Sequence, residues 1–212
     1  MWTPCRRKLC IAFAALVTSC AAAPARGQER TAPDRVEVGA FPSGRIMFTG
    51  GQSADEPAFA NYTLGMSLTW NLSPRMGVEG EGAIGFGGSK TVAFAGRTLA
   101  SQAMPDTISY LADVVFTPGG RRHAIVPYAL LGAGAFSVMK REGTDALGVI
   151  RSTAMLAGNV GGGCKWFTGH GWGVRADYRL FLIQHTDDAP EFFGGLGTRY
   201  GHRLYVAAFT TF

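Results

Sequence analysis

Residues that could catalyse hydrolysis or bind a metal are few in this 212-residue chain, and they are not grouped. A histidine can activate a serine nucleophile only when both side chains and an acid lie together. His123 and His170 lie in predicted short turns, and the predicted strand that contains His202 has no serine. His185, which two aspartates follow in a predicted loop, could bind a metal, but isolated loop histidines are usually solvated. The sequence therefore predicts no catalytic, metal or cofactor site and favours a protein that is not an enzyme.

Charged residues form a second candidate group, because nine of them fall on one face of segments whose other face is apolar. Alternate residues of a strand share a face. Unpaired charges in a low-dielectric interior are costly, so residues on this face must pair if it points inward. A packed network of ion pairs is the main prediction, and a narrow ion path or a switchable gate is the alternative. The nine residues are Glu37, Glu79, Glu81, Asp113, Lys165, Arg175, Asp177, Arg179 and Arg203.

The segment 59–72 shows most clearly which element positions these residues. Its apolar and polar residues alternate with period two, which is typical of a strand with one apolar face. A helix would scatter both sets around its circumference. The apolar set is Tyr62, Leu64, Met66, Leu68 and Trp70.

Eight segments of this kind are predicted along the chain. Short turns at 73–75, 118–122 and 168–171 alternate with longer connections at about 49–58, 88–105, 139–150 and 184–197, which is the pattern of short periplasmic turns and long outer loops in transmembrane barrels. Proline in the first segment, Pro42, indicates a bulge or a break. The segments lie near 35–48, 59–72, 76–87, 106–117, 124–138, 151–167, 172–183 and 198–212.

Residues 1–27 have the three parts of a secretory signal peptide: a basic start, an apolar stretch and small residues before cleavage after Ala25 or Gly27. A short polar lead, 28–34, follows. The predicted signal peptide contains four of the 20 basic residues and none of the 15 acidic residues. The mature chain would thus have 16 basic and 15 acidic residues, and this near-neutral charge argues against nucleic-acid binding. Only Cys164 would remain in the mature chain, so no intrachain disulfide is expected. Cys20 also matches a lipobox, and the loss of Cys20 with the signal peptide is the preferred interpretation.

Aromatic residues cluster at the predicted strand ends, as in the two aromatic girdles of a membrane barrel. At the end with the short turns they are Trp70, Phe116, Trp166, Trp172 and the terminal Phe212. At the opposite end they are Phe48, Phe59, Phe86, Tyr110 and Phe136. An all-β protein of another kind can also carry aromatic residues at strand ends.

The segments 126–136 (VPYALLGAGAF), 161–167 (GGGCKWF) and 172–179 (WGVRADYR), together with Phe212, resemble the OmpA/OmpX-like outer-membrane β-barrel domain family. The resemblance covers about 35–212. It implies a barrel in the bacterial outer membrane, with Phe212 as the signal that the barrel-assembly machinery reads. The chain departs from the family in ending Thr-Thr-Phe, where a basic residue often precedes the terminal phenylalanine. No peptidoglycan-binding domain follows, so cell-wall anchoring is not expected.

The predicted fold is all-β: one eight-stranded antiparallel up-and-down transmembrane barrel over residues 35–212. An eight-stranded lumen is just wide enough for side chains. A structural or surface-interaction role is the first hypothesis, with outer-membrane lipid as the surroundings and envelope or surface partners at the loops, above all 88–105. A narrow channel or a carrier of apolar solutes is the second, and an enzyme of envelope lipids the third. A soluble barrel with the two faces reversed is the non-membrane alternative.

Overall fold

The computed structural model describes residues 35–49, 59–87, 89–94, 97–103, 105–120, 123–144, 150–169, 171–187, 192 and 197–212. The predicted signal peptide, its cleavage sites, Cys20 and the polar lead lie outside these ranges. Within them, no helix is long and apolar enough to cross a bilayer.

Ten strands make up the described part of the chain. Eight of them close into an antiparallel barrel in the order β1-β10-β9-β8-β7-β6-β3-β2, and β4 and β5 form a separate two-stranded sheet. The barrel prediction is therefore confirmed. The strands are β1 (Val36–Thr49), β2 (Phe59–Asn71), β3 (Met76–Gly87), β4 (Ser89–Phe94), β5 (Arg97–Ala103), β6 (Asp106–Phe116), β7 (Ile125–Thr144), β8 (Ile150–Gly169), β9 (Trp172–Gln184) and β10 (Thr198–Thr211).

The barrel closes where the last strand pairs with the first. Glu37 lies opposite Thr211, and the antiparallel ladder continues to Thr49 opposite Tyr200. The terminal residue takes part, because the amide of Phe212 donates to the carbonyl of Val36 at 2.9 Å. Since every strand of the barrel has two neighbours, it leaves no sheet edge open to pairing with another chain.

The two faces of the barrel differ sharply in polarity. The apolar residues of β2 point outward, and Met66 and Trp70 are 62% and 56% exposed. The nine charged residues named above point inward, and each is exposed by 4% or less. A soluble barrel would bury the apolar face and expose the charges, so the reversed arrangement does not occur.

A bulge interrupts β1 at Pro42, as the sequence indicated. Ala40 and Ser43 are three residues apart along β1, whereas the residues opposite them on β10, Ala208 and Val206, are only two residues apart. The strand β1 therefore contains one extra residue here. The same shift occurs against β2. Because one extra residue inverts the alternation, odd-numbered residues of β1 face inward before the bulge and even-numbered residues face inward after it.

Two connections differ from the prediction. The strand β7 continues beyond its predicted outer end at 138 as far as Thr144, because the polar residues there hide the alternation that marks a membrane-level strand, whereas β8 begins at Ile150, one residue before its predicted start. The predicted loop 88–105 contains the hairpin of β4 and β5. Its signal was present in two short runs with β-forming residues on either side of Ala-Gly at 95–96.

Candidate functional site

The interior of the barrel is the candidate site, and Arg179 on β9 lies at its centre. Its guanidinium group forms ion pairs with carboxylates from two other strands: Glu79 at 2.6 Å, Glu81 at 3.0 Å and Asp113 at 2.5 Å. The Nε atom also contacts Asp177 at 3.1 Å. One fully buried cation therefore connects β3, β6 and β9 across the lumen.

Arg175 lies two inward positions closer than Arg179 to the periplasmic end of β9. It forms a bidentate interaction with Glu79, whose two carboxylate oxygens lie 2.6 Å and 3.0 Å from the guanidinium nitrogens. It also contacts Asp177 at 2.9 Å. Thr69 on β2 donates to Glu79 at 2.7 Å, so this carboxylate is satisfied from three directions. Paired planar groups of this kind fix geometry as well as charge.

The remaining two cations complete the pairing. Arg203 on β10 forms an ion pair with Glu81. Lys165 on β8 forms one with Glu37 on β1, near the periplasmic end, and Asn71 donates to the same carboxylate at 3.0 Å. All nine predicted charges thus lie inside and each has an opposite charge, five carboxylates against four cations.

Two tyrosines that the sequence analysis did not single out belong to this network. The hydroxyl of Tyr205 accepts hydrogen bonds from Arg175 at 2.5 Å and Arg179 at 3.0 Å and donates to Glu81 at 2.9 Å. The hydroxyl of Tyr128 donates to Asp177 at 2.5 Å. Both lie on the inward alternation of their strands, and that pattern alone could have identified them.

Apolar side chains fill most of the outer part of the lumen. Ten buried side chains from β1, β6, β7, β8 and β9 and from residue 192 form one cluster. Phe192 enters from the last outer connection, and its ring packs edge-on against Phe48 at 5.3 Å and stacks on Phe136 at 6.0 Å between centroids. The members are Ile46, Phe48, Leu111, Phe136, Val138, Met155, Ala157, Phe181, Ile183 and Phe192.

Arg199 on β10 lies opposite Ile183 of this cluster and is fully buried. Its guanidinium group donates to the backbone carbonyl of Phe192 and lies 4.8 Å from the centre of the Phe192 ring. Arg199 was not predicted to be a lumen residue, although it shares the inward alternation of Arg203. This contact holds Phe192, a residue of the last outer connection, at the mouth of the lumen.

The predicted aromatic girdle differs between the two ends. At the end with the short turns, Trp70, Phe116, Trp166, Trp172 and Phe212 all point outward and are exposed. At the outer end, Phe86 and Tyr110 are exposed, but Phe48 and Phe136 are buried, so their assignment to the girdle was wrong. The bulge turns Phe48 inward, and Phe136 shares the inward alternation of Tyr128. The side chain of Phe59 lies outside the described residues.

The histidines form no hydrolytic site in the described part of the chain. His202 points outward and its Nδ1 atom lies 2.7 Å from the hydroxyl of Tyr178. His185 lies 3.8 Å from Asp187, which is fully exposed. Within the described ranges, no three histidine, cysteine, aspartate or glutamate side chains are grouped as metal ligands. His170 is not among the described residues.

A closed antiparallel barrel with an apolar outer surface, an aromatic girdle and paired charges inside is a transmembrane β-barrel. The chain belongs to the outer membrane protein β-barrel domain family, which matches residues 11–208. The protein is accordingly a bacterial outer-membrane protein.

Solved structures show the same fold at low sequence identity. The structure is similar to that of Neisserial surface protein A (NspA), with a TM-score of 0.59 and 12% identity over 84% of this chain and 97% of that chain. It is also similar to Ail, the attachment invasion locus protein of Yersinia pestis, in complex with the heparin analogue sucrose octasulfate. There the TM-score is 0.50, with 14% identity over 84% of this chain and 99% of that chain. No curated protein sequence matches the chain.

Proposed function

We propose that this protein is a non-conducting barrel of the outer membrane with a structural or surface-interaction role. The observation that carries the proposal is the filling of the lumen. Seven charged side chains form one connected network around Arg179 and Arg175, and the apolar cluster around Phe192 lies on its outer side. Ions would have to break several buried ion pairs to pass, and each broken pair leaves an unpaired charge in a low-dielectric space.

A narrow channel is the competing function for the same interior. It would require the carboxylates around Arg179 to exchange partners while an ion passes. The bonds to Tyr205 and Thr69 argue against this, because neutral donors and acceptors fix the same carboxylates in place. A carrier of apolar solutes would use the outer cluster, where aromatic rings lie 5.3 Å to 6.3 Å apart. We therefore place transport second and an envelope-lipid enzyme third.

The outer connections supply the contact surface in this proposal, as 88–105 does in the sequence-based hypothesis. Ail was solved with a sulfated heparin analogue. In this chain the four connections 49–58, 88–105, 139–150 and 184–197 contain seven acidic and four basic residues. The loop 88–105 itself contains two of the basic residues and no acidic one, but the other three connections together are strongly acidic and disfavour polyanions. We therefore propose envelope or surface proteins rather than sulfated polysaccharides as partners, with the barrel-assembly machinery acting during insertion through Phe212.

Whole-cell influx tests the proposal. The protein is expressed in the outer membrane of a porin-deficient Gram-negative strain, and entry of a β-lactam is followed by its hydrolysis in the periplasm. The expected rate equals that of cells with empty vector, whereas a general porin raises it. A rate well above the vector control would favour the channel. Uptake of a fluorescent apolar naphthylamine in the same cells tests the carrier.

Surface display is tested with two epitope insertions. A tag placed in 88–105, after Gly96, should bind antibody on intact cells. A tag after Gly119, in the connection between β6 and β7, should bind antibody only after the cells are permeabilised. The opposite labelling would contradict outer loops as the contact surface.

A further inference from the structure

Two basic side chains interrupt the mainly apolar lipid-facing surface. Among the outward-facing residues of the eight barrel strands whose side chains the structure describes, Arg45 and His202 are the only arginine, lysine or histidine. Arg45 lies on β1 and is exposed, and His202 lies on β10 and is half-buried. These strands are neighbours at the closure of the barrel. The two exceptions therefore occur side by side.

The bulge at Pro42 is the reason that Arg45 faces outward. If the same sequence formed a regular strand with no bulge, Arg45 would share the face of Glu37 and point into the lumen. In the observed register Arg45 lies opposite Leu204, and Met47 lies opposite His202. Arg45 and His202 are thus diagonal neighbours, a position in which Cα atoms are about 7–8 Å apart and long side chains can meet.

His202 is held by a hydrogen bond that leaves one ring nitrogen for another partner. Its Nδ1 atom lies 2.7 Å from the hydroxyl of Tyr178 on β9. When that hydroxyl donates to Nδ1, the neutral ring carries its proton on Nε2. The imidazole then presents an N–H donor beside the five N–H donors of Arg45 without needing a charge of its own.

The height of these residues matches the outer boundary of the apolar band. Arg45 pairs with Tyr62, which lies eight residues above Trp70 of the periplasmic girdle on β2. Eight residues of a strand tilted by roughly 40° rise about 20 Å, and the apolar band of such barrels is about 25 Å tall. A long arginine side chain can extend the remaining distance. Its guanidinium group thus reaches the level of the outer-leaflet headgroups.

We propose that Arg45 and His202, with Tyr178 as the positioning residue, bind a phosphate group of the outer-leaflet glycolipid. The planar guanidinium fork matches two oxygens of a phosphate, and the imidazole N–H can donate to a third. A lipid A phosphate has both the charge and the depth that the site requires. This inference goes beyond the proposed function, because it concerns the outer wall of the barrel and not its lumen.

Native mass spectrometry of the folded protein in detergent tests the site. The protein is titrated with bis-phosphorylated lipid A, with dephosphorylated lipid A, and with bis-phosphorylated lipid A in a millimolar excess of inorganic phosphate. Loss of a charge-assisted interaction should weaken binding of phosphorylated lipid A to Arg45→Gln about tenfold or more. Arg45→Lys, which keeps the charge, should lose less. The control variant is Arg75→Gln, which removes an exposed arginine in the turn after β2. This variant should bind phosphorylated lipid A like wild type.

Each arm of this experiment supports or overturns the proposal. Equal binding of phosphorylated and dephosphorylated lipid A would show that phosphate is not recognised. Unchanged affinity in Arg45→Gln would place the phosphate elsewhere. Displacement by inorganic phosphate would show a site for free anions instead of lipid. Folding is checked independently by the faster migration of unboiled protein on a gel, and His202→Leu provides a second variant at the same site.

Discussion

Replacement of Arg179 by methionine is the most informative change to the interior. Methionine keeps much of the length of the side chain but removes the charge and all of its N–H donors. The cation at this position contacts Glu79, Glu81, Asp113 and Asp177. In the variant, the nine charged positions of the lumen would contain five carboxylates and only three cations.

The expected cost follows from the burial of these groups. Removing one partner of a buried ion pair typically destabilises a protein by about 3–5 kcal/mol, since an uncompensated charge stays buried. The effect is largest at Asp113, because this carboxylate loses the cation with which it forms its ion pair at 2.5 Å. Glu79 and Glu81 keep Arg175 and Arg203 as partners. We therefore expect Arg179→Met to lower the free energy of unfolding by about 3–5 kcal/mol.

Urea unfolding of the protein in lipid vesicles, followed by tryptophan fluorescence, measures this free energy. The double variant Arg179→Met, Asp113→Asn should recover part of the loss, because it removes the carboxylate left alone, with a coupling of about 0.5–3 kcal/mol. Arg75→Met, in an exposed turn, is the control and should stay within about 0.5 kcal/mol of wild type. A loss below about 1 kcal/mol in Arg179→Met, or no coupling in the double variant, would refute the reasoning from a dry, paired network.

Three further changes test other parts of the barrel. Deleting Pro42 removes the extra residue of the bulge and leaves the other residues of β1 on their observed faces and opposite their observed partners, so we expect the barrel to fold and to keep its unboiled gel shift; loss of the shift would contradict the register. Gly134→Leu should abolish folding, because a Cβ atom there would lie 1.9 Å from a backbone oxygen of β6, whereas Ala133→Leu on the lipid face should fold normally. Phe192→Ala should lower the free energy of unfolding by about 3–5 kcal/mol through the cavity left among the outer rings, and an unchanged value would show that Phe192 lies outside the cluster in solution.

Alternation with period two was enough to predict the eight barrel strands and the inward direction of the nine charged side chains. The segments 76–87 and 106–117 match β3 and β6 almost to the residue. The reason is physical: lipid accepts only apolar side chains on the outer face, so the pattern is strict wherever a strand crosses the bilayer. Beyond the bilayer the constraint ends, and there the prediction ended β7 six residues too early.

The partners within the lumen could not be read from the sequence. Arg179 binds Glu79, 100 residues earlier in the chain, because the tilt and stagger of the strands bring them to the same level. Phe192 entered the lumen from a connection, where no periodicity indicates direction. The bulge at Pro42 inverts the alternation in the rest of β1. The prediction included the bulge but not this inversion, and it therefore assigned Phe48 to the outer face.

Single-channel recording in a planar bilayer tests the filled lumen most directly. Purified, folded wild-type protein is inserted, insertion is verified by the gel shift of protein recovered from the membranes, and current is recorded over a range of voltages with a general porin as positive control. The ion pairs around Arg179 and the rings around Phe192 predict a current indistinguishable from that of the bare bilayer. Steady current steps that scale with salt concentration would show that the lumen conducts and would contradict the account.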